Sequence, residues 1–118
     1  MKRIVVPIIL FVAVSSSNAH AFFSIGNDLV SDMREWKSFR YKSPNTDYQA
    51  ASAYRGYVTA VYDVYDLKGI ICPDNENVTV GQVNAIVAKY LNNNPERWSE
   101  PALYLVADAL KLAFPCSV

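Results

Sequence analysis

Apolar residues recur along this chain at steps of three and four, the spacing that gathers them on one face of a helix. Leu29, Met33, Trp36 and then Phe39 or Arg40 trace such a face over residues 24–40. Ser24 or Asn27 can cap its start, and Asp28 in the first turn suits the positive end of the helix dipole. Ser43-Pro44 breaks the pattern. Over residues 46–68 a polar stripe of Ser52, Arg55, Thr59, Asp63 and Asp66 runs opposite Ala50, Tyr54, Tyr57, Val58, Val61, Val64 and Tyr65. Thr46 is the expected cap of this helix, and Gly69 is placed to end it in a left-handed residue.

Ile70 to Val78 reads as a loop whose tip, Asp74 to Asn77, is acidic and polar. Asn77-Val78-Thr79 matches a glycosylation sequon, but Thr79 with Gln82 three residues on also fits a capping box. The helix it opens runs to about Asn92, with Val80, Val83, Ile86, Val87, Tyr90 and Leu91 as its buried face. Asn92 to Pro95 ends that helix, and a short turn at Pro95 to Trp98 follows. Ser99 is the expected cap of a last helix with Pro101 in its first turn. Leu103, Val106, Ala107, Leu110 and Phe114 form its apolar stripe, and Glu100, Tyr104, Asp108 and Lys111 its wet side. Strand-like alternation is absent. The pattern predicts an all-α fold: one small bundle of four main helices, without internal repeats.

The front of the chain breaks this rhythm. Lys2 and Arg3 precede an apolar run from Ile4 to Val14, and Ala19-His20-Ala21 offers a small-x-small cleavage site. That is the layout of a cleaved secretory signal peptide over residues 1–21. The run falls short of the roughly 20 residues a spanning helix needs. Cleavage is expected to leave Phe22 to Val118 as one soluble, exported domain. Basic and acidic residues balance at eleven each, so losing Lys2 and Arg3 leaves an acidic excess of two. No basic stripe for nucleic acid is expected.

Export changes the meaning of the two cysteines. In an oxidising compartment Cys72 and Cys116 are expected to pair. Closing the chain between them contributes about 4 kcal/mol by loop entropy. The only histidine, His20, leaves with the leader. The mature chain therefore lacks a histidine for a general base, a catalytic triad or a zinc site, and a free thiol nucleophile is not expected.

The remaining candidates are weak as chemistry. Most carboxylates fall on the polar faces of amphipathic helices, where solvation is reason enough for them. Asp74 and Glu76 share a loop but lack the spaced oxygen ligands of a calcium site, so no metal or cofactor is expected. Eight tyrosines are present, with Tyr54, Tyr57, Tyr62 and Tyr65 in one helix. Such rings either fill a core short of large aliphatics or line a protein-binding surface. Tyr62, beside the polar stripe, is the expected exposed one.

Several short motifs taken together are more specific. Gly56-Tyr57-Val58 is followed by Val61-Tyr62-Asp63, then Cys72-Pro73 and Val78-Thr79-Val80-Gly81-Gln82. Tyr90-Leu91, Pro95-Glu96, Pro101-Ala102, Ala109-Leu110 and the ending Ala113-Phe114-Pro115-Cys116 complete the order. This series resembles the Rap/Tai family of type VI secretion immunity proteins, most strongly from Tyr54 to Cys116. The resemblance implies a periplasmic helical protein, often a dimer, that binds and blocks an injected toxin, commonly a peptidoglycan amidase. It also places Cys72 and Cys116 on a family disulfide. A second family pair, one cysteine in the first helix and one before the Gly-Tyr motif, is replaced here by Met33 and Tyr54, and a family glycine near Ala60 is missing.

Three functions are then open. A non-catalytic inhibitor suits a chain without histidine or free thiol. In that case the polar loop Asp74, Asn75, Glu76 and Asn77, with Tyr62, is the expected toxin contact, held in shape by the disulfide. An acid-stress chaperone is the alternative, disfavoured by the lack of a histidine switch. A small hydrolase lacks both nucleophile and base.

Overall fold

A computed structural model of the protein describes residues 2–5, 22–74 and 77–117. Most of the expected signal segment lies outside the described residues. Four helices carry the fold: α1 (Gly26–Arg40), α2 (Tyr48–Leu67), α3 (Val80–Asn93) and α4 (Ala102–Ala113). One turn of 3₁₀ helix, Pro95–Arg97, joins α3 to α4. Among the described residues there is no strand, and none of their helices is long and apolar enough to cross a membrane.

The core lies between all four helices. Leu29, Val30, Met33 and Trp36 enter it from α1, Ala51, Tyr54 and Val58 from α2, and Val83, Val87, Ala88 and Leu91 from α3. In α4 the buried residues are Ala102, Leu105, Val106, Ala107, Ala109 and Leu110. Of the expected stripe, Val106, Ala107 and Leu110 are buried and Phe114 packs at the core's edge, but Leu105 is fully buried where Leu103 is only half-buried. Val64 and Val80, expected inside, are exposed, and Tyr57, Val61 and Tyr65 pack at the core's edge. Met33 and Tyr54 are both buried in the same cluster, and the Tyr54 ring lies 5.3 Å from that of Trp36.

Helix ends follow local chemistry in some places and tertiary contacts in others. Asp47, not Thr46, caps α2: its side chain accepts from the Ala50 N–H at 3.0 Å. Thr46 instead donates its hydroxyl to the Ser43 carbonyl. At α3 the capping box forms in both directions, Gln82 N–H to Thr79 Oγ1 and Thr79 N–H to Gln82 Oε1. Gly69 ends α2 as expected, at φ 67°. Its N–H reaches the Asp66 carbonyl and that of Ile70 reaches Tyr65, the paired bonds of a Schellman motif.

The starts of α1 and α4 are not set by the caps that local sequence suggests. Neither Ser24 nor Asn27 is the cap of α1, and Ser99 does not cap α4; Ile25 and Pro101 occupy those positions and form an antiparallel bridge with each other. Gly26 N–H donates to the Glu100 carbonyl, Asn27 N–H to Trp98, and Ala102 N–H to Ser24. Two orphan donors of α1 and the first of α4 are thus satisfied by backbone of the other segment. A Cβ on Gly26 would come within 2.7 Å of the Trp98 Cα and carbonyl oxygen, so this close approach requires glycine.

Candidate functional site

The loop after α2 is held at both ends. Before it, the Schellman turn brings Ile71 into the core, where it is 1% exposed. Cys72 follows, its N–H donating to the Phe114 carbonyl at 2.9 Å. The Cys72–Cys116 disulfide then ties the C-terminal tail to this point, with the two Cα atoms 4.8 Å apart. Beyond the loop, the capping box starts α3 rigidly. Asp74 and Asn77 are exposed between these anchors; Asn75 and Glu76 lie outside the described residues.

Tyr62 joins this end of the molecule from α2. Its ring packs edge-on against Phe114 at 5.6 Å, two residues from Cys116. It is half-buried, not the freely exposed ring expected. Burial, with the carboxylates of Asp66 and Asp63 nearby, pushes its phenol up, so the ring stays neutral. Tyr62 thus packs on Phe114 near the disulfide, while Asp74 and Asn77 are exposed in the loop that leaves Cys72.

Elsewhere the polar residues have structural work. Arg97 grips Glu100 with two nitrogens, at 2.7 and 3.0 Å, reaches Asp108 of α4 at 2.9 Å, and donates to the Tyr90 hydroxyl of α3. The hydrogen bond that Arg97 donates to Glu100 leads in holding Arg97 protonated, and the same bond pulls the Glu100 carboxyl down. Trp98 closes the connection by donating its indole N–H to the Leu91 carbonyl. Among the described residues no group of histidine, cysteine, aspartate or glutamate could hold a metal ion.

One end of the helical frame is thus pinned by the disulfide and carries an exposed polar loop, and the ion pairs among the described residues gather at Arg97, Glu100, Asp108 and Lys111. Residues 26–116 match the family of Rap1a immunity proteins. The chain belongs to this family. No curated protein matches it. The Rap1a match begins at Gly26, the residue clamped under Trp98, and ends at Cys116, half of the disulfide. It therefore encloses the whole four-helix frame.

Sequence reasoning passed over two members of that frame. Gly26 carries no local signal, because its role is contact with a segment more than seventy positions away. Asn84 did carry one: it is a polar residue on the apolar face with Val83, Val87 and Leu91, and it is 1% exposed.

Proposed function

We propose that this Rap1a-family protein is exported, loses residues 1–21 after Ala21, and acts in the periplasm as a non-catalytic immunity protein. Its target is a type VI secretion effector, a peptidoglycan amidase, whose active site it occludes. The family match over residues 26–116 is the observation that carries this reading. The leader pattern of Lys2-Arg3, an apolar run and Ala19-His20-Ala21 supports the location.

The contact we assign to the toxin is Asp74, Asn75, Glu76 and Asn77, with Tyr62 beside it. A loop tied at Cys72 and restarted at Thr79 loses little freedom on binding, which favours affinity. Exposed Val64 and Leu67 on α2 and Leu112 on α4 leave apolar area for a second copy, consistent with a homodimer. Alanine changes at Asp74 and Asn77 test the contact by co-elution with the protein encoded by the adjacent gene. A weaker complex at unchanged melting temperature supports the assignment; unchanged binding removes it.

A further inference from the structure

A cleft of about 290 Å³ opens between the end of α1, the start of α2 and the first turn of α3. Its lining includes Arg40 and Arg55 but no acidic side chain. Val80 and Gly81, at the N-terminus of α3, form one wall. Gly81 leaves the backbone bare there, and a Cβ on it would meet Arg40 Nη1 at 2.8 Å. A guanidinium is thus held over the positive end of a helix dipole, an arrangement that repels unless an anion joins it. At the floor lies Asn84, whose side-chain oxygen and nitrogen are both buried and both without a hydrogen-bond partner. Unpaired buried amides are costly, and a ligand is one way to satisfy them.

The neighbouring surface continues the theme. A second cleft of about 460 Å³ shares Trp36 and Arg40 with the first and adds Lys37 and Lys89, again with no acidic residue. Four cations therefore line one face of a chain whose mature part is acidic overall. Arg55 has no ion-pair partner among the described residues. Aromatic rings set the rim: Arg40 stacks on Trp36 at 5.3 Å, and Phe39 packs edge-on against Tyr48 at 5.8 Å.

We propose that this cleft binds the carboxylate of an acidic peptide segment, its charge between Arg40, Arg55 and the start of α3, and an apolar neighbour on the aromatic rim. Planar guanidinium matches carboxylate in two-point hydrogen bonding. That the segment belongs to a toxin rests on the immunity reading; the carboxylate chemistry rests on the cleft alone. No residue of the loop at Asp74 lines either cleft.

The test is an NMR titration of ¹⁵N-labelled protein with acetyl-Leu-Asp-Phe-amide, its Asn counterpart, and inorganic phosphate. The Asp peptide is expected to shift the Gly81 amide and the Asn84 side-chain NH₂ saturably, with the Asn peptide weaker by about tenfold. Arg55→Gln is expected to weaken the Asp peptide by a similar factor at unchanged melting temperature. Absence of saturable shifts, equal binding of both peptides, or full affinity in Arg55→Gln overturns the site. Phosphate binding more tightly than the Asp peptide overturns the peptide assignment. None of these readouts depends on toxin neutralisation, so failure of the immunity reading shows separately.

Discussion

The Tyr54 hydroxyl donates to the backbone carbonyl of Asn84 across 2.7 Å of buried space. The bond links α2 to α3 and fixes the turn that carries the unpartnered Asn84 amide. Burial pushes the Tyr54 phenol far up, so it remains a donor at any ordinary pH. Tyr54→Phe keeps the ring against Trp36 but leaves the carbonyl without this donor. It is expected to lower stability by about 1–2 kcal/mol, read as an earlier midpoint in urea at unchanged slope. An unmoved midpoint would show that the bond contributes nothing.

The strap between the two helix starts is a sharper case. Gly26→Ala places a methyl within 2.7 Å of Trp98 backbone and 2.6 Å of Leu105 Cδ1. Backbone cannot yield as a side-chain tip can. The loss is expected to be about 2–3 kcal/mol, and hydrogen exchange at Gly26, Asn27 and Ala102 should accelerate more than in α2. Wild-type stability in this variant would mean that the approach is not close in solution.

Acid titration separates two carboxyls of opposite sign. The Asp32 pKa is raised above 3.8 by burial first, then by Asp28 and Asp47. The folded state thus prefers Asp32 protonated, and Asp32 subtracts stability above its raised value. Asp32→Asn is expected to raise the melting temperature at pH 7, and the gain should vanish as pH falls below about 4. Glu100, held low by its hydrogen bond to Arg97, behaves in reverse: its contribution is present above 4.5 and lost as pH falls below that. Glu100→Gln should cost stability at pH 7 and nothing in strong acid. A Glu100→Gln loss that persisted unchanged in strong acid would contradict the pairing with Arg97.

The disulfide closes a span of 44 positions. Replacing both Cys72 and Cys116 by serine is expected to cost about 4 kcal/mol and to loosen Asp74 and Asn77 more than the helix centres. Heteronuclear relaxation measures the second effect. Equal stability with and without the bond would remove the staple from the account.

These features differ in how far sequence alone disclosed them. Period and glycine placed α2, and the capping box placed α3, because Gly69, Thr79 and Gln82 act on their own neighbours; the cap of α2 fell one residue later than expected, on Asp47. In α4 the stripe through Val106, Ala107 and Leu110 was legible, but Leu105 was not, because Leu103 and Leu105 look alike until α3 and α1 are packed against them. The starts of α1 and α4 were missed for a different reason. The N–H groups of Gly26, Asn27 and Ala102 are satisfied by distant backbone, which leaves no trace in side-chain pattern. For the proposed site, the cysteines and motif order marked the disulfide end, while the cleft over Asn84 needed three helices in place before its cations converged.

A protein that neutralises a toxin by binding must do so in a fixed ratio. The most direct measurement titrates the purified protein into the lytic enzyme encoded beside it and follows cell-wall digestion. Lysis is expected to fall in proportion to added protein and to cease at equal amounts, with one complex eluting. Undiminished lysis at excess protein, with the two eluting apart, would contradict neutralisation by binding.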